Sequence, residues 1–288
     1  MTPDAQPLFL AQSLRFGPVT LSVANLERSK NFYTQTLGMR VLSESTGTVL
    51  LGADSTSPLL ELREQAGARP SLPSSTGLYH LAILLPTRVD LAAFVQHLID
   101  TRSPVQGASD HLVSEALYLT DPDGHGLEVY WDHPEAQWQW DGGSVQMATN
   151  ALDLENLLLE LTSNRSSWTL PSRTTLGHVH LKVSDMSATE HFYRDVLGFD
   201  ITARFAGALF MSVGGYHHHL GLNAWGSRGG KPGTSEHARL ERVKIRLPEG
   251  DSLERLSKRL NSENITFERV EDGLEVQDPA GNLLEFRI

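Results

Sequence analysis

The sequence predicts an α+β fold of four βαβββ units in tandem, and three observations carry that prediction. Residues 16–41, FGPVTLSVANLERSKNFYTQTLGMRV, recur as residues 176–201, LGHVHLKVSDMSATEHFYRDVLGFDI, at a constant offset of 160. Gly17/Gly177, Val19/Val179, Leu21/Leu181, Val23/Val183, Phe32/Phe192, Tyr33/Tyr193, Leu37/Leu197 and Gly38/Gly198 are identical. A fainter pair relates residues 77–100 to 240–262 through Ile83-x-Leu85-Pro86 and Ile245-x-Leu247-Pro248. Both halves then end alike, DPDGHGLEVY at 121–130 and DPAGNLLEFR at 278–287. Identities that run through strand, helix and turn mark a duplication, the signature of a repeat architecture.

Each unit opens on an alternating or β-branched strand. In HVHLKV, Val179, Leu181 and Val183 share one face, suited to packing under a helix, while His178, His180 and Lys182 share the other. An amphipathic helix of about three turns follows, read from its apolar spacing. Three short strands then close the unit, separated by Gly and Asp-Pro turns in which Pro presets φ and Gly takes the left-handed corner. GARPSLPSSTG, 67–77, links units one and two. Residues 14–133 form a first module, 176–288 a second, and 134–175 a connection with a Leu-rich helix at 151–163.

Composition narrows the function. The formal charge is −11, with 24 basic and 35 acidic residues, which argues against nucleic acid or an anionic membrane as a partner. With no cysteine in 288 residues, disulfides, thiolate catalysis and Cys-ligated metals are excluded, and His, Asp and Glu are left as metal ligands. MTPDAQPLFLAQ has no basic n-region and no adequate apolar stretch, so no signal peptide is expected. No apolar run reaches the ~20 residues of a membrane span. A cytoplasmic location is expected.

Four βαβββ units ending on the Glu of DPDGHGLEVY resemble the vicinal oxygen chelate superfamily, which includes glyoxalase I, bleomycin-binding proteins and the extradiol dioxygenases. The resemblance covers about residues 14–288 and is strongest toward the catechol 2,3-dioxygenase branch. It implies two half-closed mixed-sheet cups, with a metal held by first-strand and last-strand residues of two units. The first-strand positions are Pro18, His80, His178 and Arg242; the last-strand positions are Glu61, Glu128, Gly221 and Glu285.

Extradiol enzymes use two histidines and one glutamate, a facial triad that leaves open positions on Fe(II). In those enzymes units three and four supply the three ligands. Here that combination fails, because Arg242 stands at the second His position and a guanidinium cannot ligate. Units two and three restore the full set: His80, Glu128 and His178, with Gly221 leaving the fourth position empty. His180, on the face of His178, is the second choice of ligand.

GGYHHHLGLNAW, 214–225, places three histidines where strand alternation would send His217 and His219 toward the cup and His218 away. By resemblance His219, two residues before Gly221, is the acid–base catalyst, a role that suits an imidazole. The family also places a Tyr ten residues before the terminal Glu, matched by Tyr118 before Glu128, and a His upstream, matched by His111. These two would hold the substrate oxygens. His217 and His218 are expected to matter less.

The activity so implied is that of an Fe(II)-dependent extradiol (meta) ring-cleavage dioxygenase in aromatic hydrocarbon catabolism. Catechol or a substituted catechol is the small aromatic diol substrate and dioxygen the co-substrate, with Mn(II) able to replace iron. Oligomeric state is left open. Two alternatives stand beside it: a glyoxalase-type metalloenzyme (isomerase or thiol transferase), which Gly221 in place of a fourth ligand disfavours, and a metal-free small-molecule-binding or resistance protein.

Overall fold

The computed structural model describes residues 14–162, 167–248 and 251–288; the N-terminal stretch read for a leader and the last residue of the 151–163 helix lie outside them. Four units each contribute four main strands. Unit one holds β1 (Val19–Val23), β2 (Arg40–Ser45), β3 (Thr48–Gly52) and β4 (Pro58–Glu64). Unit two holds β5 (Gly77–Leu84), β6 (Gly107–Asp110), β7 (Ser114–Thr120) and β8 (Gly126–Asp132). Unit three holds β9 (Thr175–Lys182), β10 (Asp200–Phe205), β11 (Ala208–Ser212) and β12 (Leu220–Asn223). Unit four holds β13 (Leu240–Arg246), β14 (Phe267–Val270), β15 (Gly273–Gln277) and β16 (Leu283–Arg287).

The strands join into two curled mixed sheets, and each sheet takes one unit from each half of the chain. One runs β14-β15-β16-β13-β1-β4-β3-β2, uniting units four and one. The other runs β6-β7-β8-β5-β9-β12-β11-β10, uniting units two and three. The seam of the second sheet is the antiparallel pair β5/β9, in which His80 faces His180 and Ala82 faces His178. The equivalent seam of the first sheet sets Arg242 opposite Thr20.

Helices cover the outer faces. Asn25 and Asp185 cap α1 (Leu26–Asn31) and α4 (Met186–Glu190) with side chains that accept backbone N–H groups of the first turn. Each of these short helices widens into a π-helical segment, Phe32–Thr36 and His191–Val196. In unit two, α2 (Arg88–Thr101) buries Leu91, Phe94, Val95 and Leu98, the 3–4 spacing of an amphipathic helix. Beneath α4, Val179, Leu181 and Val183 are fully buried, as their shared parity predicts. Each such side chain stabilises the fold by ~1.5–3 kcal/mol.

The π-helical segments have a further consequence. Tyr33 donates to Asp121 at 3.0 Å, and Tyr193, its repeat, donates to Asp278 at 3.0 Å. Both acceptors are the Asp of the Asp-Pro turns. These buried bonds therefore tie unit one to two and unit three to four, while the sheets tie two to three and one to four.

The connection departs from expectation. Among the described residues of the connection, α-helix is confined to α3 (Leu154–Leu158), and Asn150–Ala151 instead forms an edge strand on β6. Asp153 explains the late start, because its side chain caps Asn156 N–H and so sets the first helical turn. Among the described residues, no helix is long and apolar enough to cross a membrane.

Candidate active site

The cup of units two and three encloses a cavity of about 730 Å³. At its floor β9, β5 and β8 run side by side with His178, Ala82 and Glu128 in register. Ala82 is small and fully buried, so its two neighbours can lean together above it, and His80 joins them from two residues back along β5. Glu128 Oε2 lies 2.9 Å from His80 Nε2 and 3.2 Å from His178 Nε2, and the two imidazole nitrogens are 3.2 Å apart.

All three side chains are buried, and their donor atoms form a compact triangle. Three donors set cis to one another on a divalent ion at bonds of about 2.1 Å would be separated by about 3.0 Å, so the triangle has the dimensions of one face of an octahedron. Burial lowers the pKa of His178 although Glu128 opposes it, so this imidazole is neutral at pH 7. Burial alone would raise the Glu128 carboxyl, but the rings of His178 and His80 hold it well below the usual carboxylate range. Two imidazoles and a carboxylate are the donor set of a facial triad. His178 Nδ1 has no hydrogen-bond partner among the described residues, and Tyr130 and His218 hold its ring by contact at centroid distances of 5.0 and 4.1 Å.

The space above Gly221, expected to be open, is taken by His180. A Cβ on Gly221 would sit 2.6 Å from Cγ of that imidazole, so only glycine fits. Asn223 Nδ2 donates to His180 Nε2 at 3.0 Å, which occupies the lone pair of that nitrogen. His180 therefore stands outside the three-donor cluster.

Tyr118 lies directly across the β7/β8 ladder from Glu128, which is the physical content of their ten-residue spacing. Its hydroxyl is 2.6 Å from His111 Nε2, and His111 Nδ1 donates to the Ala148 carbonyl at 2.7 Å. That second bond fixes the tautomer, so Nε2 accepts from Tyr118. Burial, with Glu128 adding to it, raises the Tyr118 phenol well above its ordinary value. Both side chains line the cavity.

His219 is not where alternation puts it. Gly214 and Gly215 both take left-handed φ and turn the chain, and regular strand begins only at Leu220. The His219 ring bonds Ser212 Oγ at 2.8 Å beneath the ring of Tyr216, and the histidine that lines the cavity is His218. The Gly-Gly pair was the available signal: a turn there interrupts strand parity. Behind His218, Asp132 Oδ1 lies 2.7 Å from His217 Nε2, and His217 Nδ1 lies 2.7 Å from His218 Nδ1. A proton held between Asp132 and His217 Nε2 makes His217 Nδ1 an acceptor and leaves His218 Nε2 as the lone-pair nitrogen. Burial first, and the neighbouring imidazoles second, keep His218 unprotonated at neutral pH.

In the cup of units one and four Arg242 occupies the position of His80 and Lys244 that of Ala82, and both reach Glu285. Cationic side chains fill the space where the other cup gathers its donors.

A duplicated four-unit chain with one cup of this kind has a defined class: it belongs to the Glyoxalase/Bleomycin resistance protein/Dioxygenase superfamily, whose family model matches residues 15–129 and 175–286. Within that class the chain is catechol-2,3-dioxygenase-like. It is 42% identical over 273 residues to the catechol-2,3-dioxygenase of Bacillus subtilis strain 168, covering 93% of this chain and 95% of that one. A biphenyl-2,3-diol 1,2-dioxygenase 2 of Rhodococcus globerulus is 27% identical over 124 residues, 41% of this chain and 63% of that relative. Among solved structures, a putative dioxygenase of Bacillus subtilis strain 168 superposes with a TM-score of 0.67 at 14% identity, covering 94% of this chain and 84% of that one. Glyoxalase I of Zea mays superposes at 0.58 with 16% identity, covering 95% and 92%. At such identities the structural likeness speaks for the fold alone.

Proposed function

We propose that the protein is an Fe(II)-dependent extradiol dioxygenase that cleaves a catechol, using His80, Glu128 and His178 as the metal ligands. The observation that carries this reading is the buried triangle of two imidazole nitrogens and one carboxylate oxygen, 2.9–3.2 Å on a side, at the floor of a cavity roomy enough for an aromatic diol. The likeness to a catechol-2,3-dioxygenase over nearly the whole of both chains supports it.

Fe(II) held there supplies Lewis acidity toward two vicinal oxygens and the one-electron chemistry that dioxygen requires. The chain's own residues do the rest. The His111–Tyr118 pair presents a hydroxyl beside Glu128 and orients one diol oxygen. His218 takes up the hydroxyl proton on Nε2 and returns it later, in the role first expected of His219. Asp132 and His217 hold its ring in that tautomer. The aromatic and apolar walls limit water around the reacting ring.

The test is metal analysis of the purified protein, then anaerobic loading with Fe(II) followed by catechol and air. Yellow ring-fission product is expected. Lack of product across simple and substituted catechols, with metal bound, would redirect the reading to a glyoxalase-type isomerase.

A further inference from the structure

The cavity continues beyond the triad into a mouth of unusual make-up. Tyr79, Phe205 and Trp225 are 43, 46 and 54% exposed, a large apolar area for rings that touch one another or a neighbour in the wall. Tyr79 meets His180 tilted and Trp225 edge-on at centroid distances of 4.8 and 5.6 Å, and Phe205 lies 5.5 Å from Phe210. Together they form a shelf that starts beside His80 and leads outward.

These rings are held in place. Tyr79 is the extra residue of a β-bulge: His80 pairs with His180 and Leu78 with Leu181, so Tyr79 has no partner on β9 and its ring joins that of His80 on the cavity side. Trp225 is fixed by its indole N–H, which donates to the Ala206 carbonyl at 2.8 Å.

At the outer end stands Lys182, on the same face of β9 as His178 and His180 and about 13 Å along the strand from His178. Its flanking partners in the sheet are Gly77 and Asn223, both uncharged. It is half-buried, bonds only the Leu72 carbonyl at 3.1 Å, and forms no ion pair among the described residues. Glu128, in the triad, is the acidic residue in the cavity lining. Burial without a counter-charge lowers the Lys182 pKa from its ordinary value.

An ammonium without a carboxylate, at the end of an exposed aromatic shelf that opens on the triad, is built to receive an apolar arm with an anionic end. We infer that this mouth is a substrate subsite: the diol cleaved here carries a side chain that lies against Tyr79 and Trp225 and ends in a carboxylate paired with Lys182. The inference rests on the oxygenase reading for what happens at the ring, but the subsite itself needs no metal.

The test compares 3-(3,4-dihydroxyphenyl)propionate with the neutral 4-propylcatechol, using full-length protein. Titration calorimetry on metal-free protein should show the carboxylate binding about tenfold tighter, the size of one charge-assisted contact. Lys182→Met should bring the ratio to about one, Lys182→Arg should keep it, and Trp225→Ala should weaken both ligands several-fold with the ratio retained. The same ratio should appear in kcat/KM after Fe(II) loading. No preference for the carboxylate, or a preference that survives Lys182→Met, overturns the subsite. A Lys182-dependent preference without ring cleavage would leave the subsite standing and refute the oxygenase reading. Cleavage without the preference would do the reverse.

Discussion

Arg242 Nη1 lies 2.6 Å from Glu285 Oε2 in one cup, at the pair of positions that His80 and Glu128 hold 2.9 Å apart in the other. The duplicated framework thus keeps its terminal glutamate twice and neutralises it in two ways. One copy meets imidazoles that a divalent ion can join. The other meets fixed cations, and Arg287 adds a second guanidinium to Glu285.

This relationship separates two substitutions. His80→Ala removes one of three donors and is expected to abolish metal retention, with little loss of fold. Arg242→Ala should leave metal content unchanged and lower stability, because Glu285 is fully buried. Breaking a buried pair costs about 3–5 kcal/mol, and the remaining Arg287 and Lys244 should reduce that to about 1–3. Elemental analysis and denaturant unfolding check both; metal lost from the Arg242 variant would contradict the assignment of cups.

His218 and His219 should differ in kind. His218→Ala is expected to lower kcat about 10²–10⁴-fold in the iron-loaded protein, the usual worth of a general acid–base group. His219→Ala should cost stability more than turnover, since its ring bonds Ser212 away from the cavity. Steady-state kinetics decides, and a turnover loss confined to His219 would return the role to it.

Stability should depend on pH through the same histidines. Burial, with His217 and His178 adding to it, pushes His219 down to about 3. Between there and the ordinary value near 6.5 the unfolded chain binds a proton that the folded chain refuses. Folding therefore weakens as pH falls through that window, by on the order of 1 kcal/mol per unit for this one group. Unfolding midpoints of metal-free protein from pH 7 to pH 4 should show the decline, and His219→Gln should flatten it; parallel curves would refute the account.

Tyr33→Phe should destabilise by about 1–3 kcal/mol, because it leaves the buried Asp121 Oδ2 without its donor, and Tyr193→Phe by less, about 0.5–1.5 kcal/mol, because Asn282 Nδ2 still donates to Asp278 Oδ2 at 2.8 Å. The two sites share no partner, so the losses should add. Neither tyrosine touches the cavity, and catechol turnover in the folded fraction should be unchanged.

Much of this was readable from residue order. The four units follow from the two repeated pairs, 16–41 with 176–201 and 77–100 with 240–262, and the inner and outer faces of β9 from the alternation in HVHLKV. The offset of ten from Tyr118 to Glu128 foreshadows two side chains opposed across a hairpin. Local pattern suffices there because strand parity and turn chemistry are set by near neighbours.

Other features exist only where distant segments meet. No local signal says that β5 pairs with β9 and not with β1; that choice belongs to the packing of whole units, and it brings His80 and Glu128 to His178. His180 fills the space over Gly221 because two strands from one unit lie adjacent. The turn at Gly214–Gly215 cancels the parity that would have aimed His219 inward, and the bulge at Tyr79 turns an outward residue into cavity wall. Sequence alone determined which chemical groups the chain carries and on which face of its own strand each lies. Tertiary structure decided which of those groups share a cavity, because convergence depends on the register between strands far apart in the chain.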